Sequence, residues 1–262
     1  MHYLPKVRIS FIWLPFIVLA YDHHSLLIVL FIFLMLAFHE AAHLIIAHYF
    51  KYEISSIMIY PFGIGAQIER IGWGNVYHEG AILISGPLMH LIFPCFFLLL
   101  KQMNLISNNF FDYLLNLNLS IVVFNLLPIY PLDGGRILSS FLHLLFPFKI
   151  AQNLTFAFSS LAICFFYCFF MKHTIASLLV MIFLFIQILI AFKQRKIMKR
   201  QFYLYRRYHP VTYALYAHEY QDIYRQRYNL IHYHQLWLKE EDWLAYYLDH
   251  NEKTKANHFT IL

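Results

Sequence analysis

The chain has 262 residues, 60% of them hydrophobic and only 13% charged, with 20 Lys and Arg against 14 Asp and Glu for a formal net charge of +6. A soluble domain carries about 25% charged residues, so this composition excludes an ordinary water-soluble enzyme and points to a chain that lives in a bilayer. The basic excess gathers in Lys193, Arg195, Lys196, Lys199, Arg200, Arg206 and Arg207, directly after an apolar run, which assigns it to a lipid surface and not to a nucleic-acid partner.

A helix crosses a membrane with about 20 apolar residues. Residues 9–21 form a short first span between Arg8 and Asp22. With Lys6 and Arg8 before it and Val18-Leu19-Ala20 near its end, the same stretch also reads as a signal peptide, whose cleavage would leave five spans. Residues 25–50 form a second, long span in which Glu40 is the one formal charge. The loop over 51–79 has strand character, with Ile54, Ile57, Met58, Ile59 and Tyr60 before a turn through Pro61, Gly63 and Gly65, then Ala66-Gln67-Ile68. That pattern predicts a hairpin over 54–68, too apolar for an ordinary exposed loop, which lies in the membrane interface or lines the site with an open edge; alternatively the segment is a poorly ordered connector. Residues 80–100 contain no Asp, Glu, Lys or Arg and make a third span.

Residues 113–132 make a fourth span, holding Asn116, Asn118 and Asn125 and breaking at Pro128 and Pro131, with 137–148 folded back beside it as a half-helix. Residues 150–171 and 174–192 complete six crossings. With both termini cytoplasmic, Lys101 and Lys172 are external and the other 18 of the 20 basic residues internal, as the positive-inside rule requires. Cys95, Cys164 and Cys168 read as small hydrophobes in apolar stretches. The predicted fold is an all-α polytopic membrane protein with about six transmembrane helices, a small membrane-associated β-hairpin and a short cytoplasmic helical tail. Residues 1–200 are the membrane domain, with a motif core over 25–148, and residues 201–262 are the small cytoplasmic region.

The chemistry centres on His39-Glu40-Ala41-Ala42-His43. On a helix the i, i+4 spacing puts both imidazoles on one face, where they can share a metal beside the carboxylate. Ionisable groups at membrane depth are costly and mark function. A catalytic zinc takes three protein ligands and keeps a position open for water. An extended histidine motif would need a third histidine at 49, where the chain has Tyr49; His48 is off-phase and reads as interfacial. Glu69 and Glu79 lie in or at the ends of the loop. Asp133 sits at a break between apolar pieces, after Pro131 and before Gly134-Gly135, the kind of backbone that lines a polar cavity. Alternatively Asp133 caps the helix beginning near Gly134 and pairs with Arg136. Beside the two histidines, the ligand role for Asp133 is favoured. The expected site is one zinc per chain on His39, His43 and Asp133, with Glu40 as general base. Asn125 is a candidate oxyanion donor, or alternatively bonds a neighbouring helix.

Together with Ser85-Gly86-Pro87-Leu88-Met89-His90 and the run Asn125-Leu126-Leu127-Pro128-Ile129-Tyr130-Pro131-Leu132-Asp133-Gly134-Gly135-Arg136, the motif resembles the site-2 protease family of intramembrane zinc metalloproteases, and in detail its sporulation branch. The resemblance is strong over 25–148, weak over 149–200 and does not guide the reading beyond. It implies a metalloendopeptidase that cuts a membrane-associated protein. In the sporulation branch the substrate is a sigma-factor precursor that loses its pro-segment, on the mother-cell side of the outer forespore membrane, while inhibitory membrane partner proteins hold the protease off. Relatives often carry a nucleotide-sensing CBS domain after the spans; this tail lacks the glycines and alternating strands of that pattern. Two other functions compete. One is a membrane zinc protease of another family with a glutamate as third ligand. The other is a metal-transport or scaffold protein with non-catalytic histidines, although Glu40, Asp112 and Asp133 are the only acidic candidates near the spans.

Overall fold

A computed structural model describes residues 6–9, 26–60, 63–69, 71–169, 175–211, 215–219, 222–233 and 235–259. Beyond Ile9, the predicted first span over 9–21 therefore lies outside the described residues. The chain divides into two units, Met1–Leu127 with Leu132–Gly134, and Pro128–Pro131 with Gly135–Leu262.

In the first unit, strand β1 (Lys6–Ile9) pairs parallel with β2 (Ile54–Tyr60), which pairs antiparallel with β3 (Gly63–Ile68). The predicted hairpin is thus present, with β1 as a third strand that four residues of alternating charge and apolar character were too short to announce. Helix α1 (Leu26–Tyr49) buries Phe31, Met35, His39, His43 and Ala47. These five are spaced four apart, a single row along the helix, so both histidines lie on its one buried face.

That row faces α2 (Val76–Met89), whose N-terminus is capped by the Asn75 side chain accepting from the amides of Tyr77 and His78. The predicted third span is broken into α2 and α3 (Phe93–Gln102), with Pro87 inside α2 and Pro94 in the first turn of α3. Helix α4 (Asn108–Asn125), capped by Ser107, closes the unit by packing Leu114 with Phe31, Met35, Phe93 and Phe97. The predicted fourth span ends early, at Asn125, and the chain turns through Pro128 and Pro131 into α5 (Asp133–Leu145), the predicted half-helix.

Among the described residues four helical stretches are long and apolar enough to cross a membrane: Leu26–Tyr49, Val76–Gln102, Phe148–Cys168 and Ser177–Tyr208. They turn apolar side chains outward, as with Ile45, Leu91, Leu161 and Phe183, each more than half exposed. Water would penalise such surface; lipid does not. The three cysteines are on exposed faces, as small hydrophobes in lipid contact would be.

In the second unit, α6 (Phe148–Phe169) packs on α7 (Ile175–Tyr208), which runs unbroken past residue 200. The expectation of a helical tail is corrected here. After α7 come β4 (Leu215–His218), β5 (Tyr228–Tyr233) and β6 (Leu236–Lys239), joined as one sheet, then α8 (Glu240–Phe259). The alternation that betrays a half-buried strand fails in β5 because an inward position is polar: Asn229 is fully buried. Its Nδ2 donates to the carbonyl of Arg227 at 2.9 Å and to Glu240 at 2.7 Å, and its Oδ1 accepts from the Tyr224 amide at 2.8 Å. Arg206, predicted to lie against lipid, instead pairs with Glu240 in the interior and donates to the Arg225 carbonyl at 3.0 Å. Glu240→Ala would strand that guanidinium without its counter-charge. It is expected to destabilise the tail by about 3–5 kcal/mol, read as faster limited proteolysis after residue 208 than in the parent chain.

Candidate metal centre

His39 and His43 stand one turn apart on the buried row of α1, and Asp133 begins α5, 94 and 90 residues away. Their ligating atoms converge. Asp133 Oδ2 lies 2.9 Å from His39 Nε2 and 3.2 Å from His43 Nε2, and the two Nε2 atoms are 3.1 Å apart. Four ligands at zinc bond lengths of about 2.0–2.1 Å are about 3.3 Å from one another, so this triangle has nearly the size of one face of a zinc tetrahedron. All three residues are buried. They form the group of His, Cys, Asp and Glu side chains that could hold a metal among the described residues.

Hydrogen bonding favours the same reading. His43 Nδ1 lies 2.6 Å from the carbonyl oxygen of Ile82, which can only accept, so Nδ1 carries the proton. In the neutral ring, Nε2 of His43 is then a lone pair aimed at a carboxylate oxygen. Two acceptors 3.2 Å apart gain nothing from each other and both gain from a cation between them. Ser85 Oγ also donates to the Ile82 carbonyl, at 2.6 Å, so one carbonyl of α2 organises both side chains.

Two glycines make the approach possible. A Cβ on Gly86 would sit 2.3 Å from His43 Nε2 and 2.7 Å from His39 Nε2, so the ligand nitrogens occupy the space a side chain would take. A Cβ on Gly134 would meet the Leu126 carbonyl oxygen at 2.1 Å, so the tight passage that delivers Asp133 excludes any larger residue. Gly86→Ala is expected to weaken zinc binding by about tenfold or more while helix content stays unchanged, checked by chelator competition and circular dichroism.

The other candidates fall elsewhere. Glu79 is buried but accepts from the backbone amides of Gly72 and Gly74 at 2.9 and 3.2 Å, serving the loop before α2. Glu69 is half-buried just after β3. His48 and Tyr49 are exposed at the end of α1. Glu40 is half-buried beside the ligand pair, and Asn125 is half-buried as the last residue of α4. Sequence reasoning assigned no work to Gly86, Ile82 or Ser85. A glycine-proline step inside an apolar helix is the one local signal that marks them.

Residues 100–169, which include Asp133, match the model of peptidase family M50. The chain is 34% identical over 131 residues to stage IV sporulation protein FB of Bacillus subtilis, a match covering 50% of this chain and 45% of that protein. It is 32% identical over 130 residues to a zinc metalloprotease of Methanocaldococcus jannaschii, covering 47% of this chain and 38% of the relative. The chain thus spans less than half the length of the curated relatives it matches. Its fold is similar to that of the site-2 protease from Methanocaldococcus jannaschii, with a TM-score of 0.53 and 24% identity over 72% of this chain and 92% of that one.

Proposed function

We propose that this chain is an M50 peptidase, an intramembrane zinc metalloprotease that cuts a membrane-associated protein, and that its substrate is a sporulation sigma-factor precursor from which it removes the pro-segment. The observation that carries the protease reading is the meeting of His39, His43 and Asp133 within 3.2 Å of one another in a buried site. The similarity to a sporulation protein supports the choice of substrate class.

His39, His43 and Asp133 would hold the zinc, which when bound would supply the Lewis acidity that makes a water ionisable near neutral pH. Glu40, adjacent to His39 in sequence and half-buried, takes the proton from the attacking water and passes it to the leaving amine. Asn125 offers its amide to the oxyanion from the end of α4. A peptide must be extended to be cut, and β3, an edge strand lying against α1, offers backbone groups to a substrate strand.

The proposal includes six crossings, both termini in the cytoplasm, a membrane domain over 1–200 and a cytoplasmic region over 201–262, placed on the mother-cell side of the outer forespore membrane with inhibitory membrane proteins as partners. The charge distribution supports that orientation. Co-expression with a sigma-factor precursor is the test. A shortened product is expected with the zinc-loaded chain, and a precursor that stays full length beside it would refute the substrate assignment.

A further inference from the structure

A second buried polar pair stands next to the metal ligands. His90 follows α2 and is 1% exposed; Asn118 lies on α4 and is buried too. The Asn118 amide has a determined orientation, because its Nδ2 donates at 3.2 Å to the His90 carbonyl, which can only accept. Asn118 Oδ1 therefore faces His90 Nδ1, at 2.6 Å, and Nδ1 must be the protonated nitrogen. In the neutral ring, Nε2 of His90 is left as an acceptor. It is buried and has no hydrogen-bond partner among the described residues.

The same is true of one atom of the metal site. His39 directs Nε2 at Asp133 and His43, and its other nitrogen, Nδ1, is buried without a partner among the described residues. A histidine that binds metal through Nε2 carries its proton on Nδ1 and nearly always donates it to an acceptor, which fixes the ring and raises its basicity. His43 has such an acceptor in the Ile82 carbonyl. His39 needs one, and the ring nearest to it with a spare acceptor is His90, whose centroid lies 5.2 Å away at an interplanar angle of 60°. An unsatisfied buried donor and an unsatisfied buried acceptor on neighbouring rings are complementary, and a buried polar atom left unpaired is costly.

We propose that His90 and Asn118 are positioning residues of the metal centre: His39 Nδ1–H donates to His90 Nε2 through one buried water, and His90 Nδ1–H donates to Asn118 Oδ1. The relay sets the tautomer of His39 from two elements that contribute no ligand. It rests on His39 being a metal ligand through Nε2, as in the function proposed above. His43 has a backbone carbonyl as its outer partner, so that contact is insensitive to side-chain substitution, whereas the proposed partner of His39 is a side chain and can be removed.

The test uses the full chain in detergent micelles. Zinc affinity is measured by chelator competition, and the visible spectrum of the cobalt-substituted protein reports ligand geometry. His90→Phe keeps an aromatic ring of similar bulk and deletes the acceptor; it is expected to weaken zinc binding about 10–100-fold and to shift the cobalt bands. His90→Gln, which offers an amide oxygen, is expected to recover most of that loss. Asn118→Leu frees the His90 ring and should fall between the two. Equal zinc affinity in the parent chain, His90→Phe and Asn118→Leu would overturn the relay, as would a loss in His90→Phe that Gln fails to restore, since packing alone would then explain it. If His90→Phe does not fold, His90→Gln and Asn118→Leu decide the matter by the same readouts. A parent chain that binds no stoichiometric zinc would instead defeat the metal site itself, so the two failures are told apart.

Discussion

Glu40→Gln is expected to leave one zinc per chain bound and to lower cleavage by about 100- to 10,000-fold, the usual worth of a general base. The substitution is nearly isosteric and removes only the capacity to take a proton. Glu40 is not one of the three convergent side chains, so the triangle of His39, His43 and Asp133 stays intact without its charge. Zinc content and cleavage must therefore separate in this variant. Metal analysis beside the appearance of the shortened product makes the measurement. Cleavage at the parent rate would remove Glu40 from the chemistry, and full biological activity in the same variant would favour a transporter or scaffold over a hydrolase.

Asp133→Ala is expected to do the opposite, removing zinc and cleavage together. It takes away the oxygen that lies 2.9 and 3.2 Å from the two imidazoles. A site reduced to two ligands should lose more than about 100-fold in zinc affinity, beyond the loss typical of an outer partner. Glu79→Gln supplies the contrast. Glu79 is also buried, yet its oxygen is committed to the amides of Gly72 and Gly74. Its substitution should leave zinc affinity within about twofold of the parent and cost about 1–3 kcal/mol of stability through the loop. Equal zinc loss in both variants, measured by chelator competition, would show that the third ligand has been misassigned between them.

Much of this centre is local, and so was legible. Two histidines four residues apart share a helix face whatever the rest of the chain does, and a carboxylate flanked by prolines and glycines in an apolar chain is abnormal on its own terms. The hairpin was legible for the same reason, since strand alternation and a glycine-rich turn are short-range properties. The three-stranded tail was not, because Asn229, buried inside β5, breaks the apolar alternation that signals a strand. Its stability depends on Glu240 and Arg206, 11 and 23 residues away along the chain, and no local pattern pairs them.

What residue order determined by itself is the kind of chemistry: a helix face bearing His39 and His43, the carboxylate of Glu40 beside it, and a bilayer as solvent. The break around Asp133 already favours it as the third candidate ligand, and the tertiary structure brings its carboxylate to the two imidazoles. The closure that joins Asp133 to α1 over some 90 residues carries no sequence signature of its own. Close packing permits the approach, because Gly134 lets the turn after α4 press against the Leu126 carbonyl and Gly86 clears room for both imidazole nitrogens. The His90–Asn118 pair belongs to the same class, two polar groups 28 residues apart whose complementarity exists only once α2 and α4 are folded around α1.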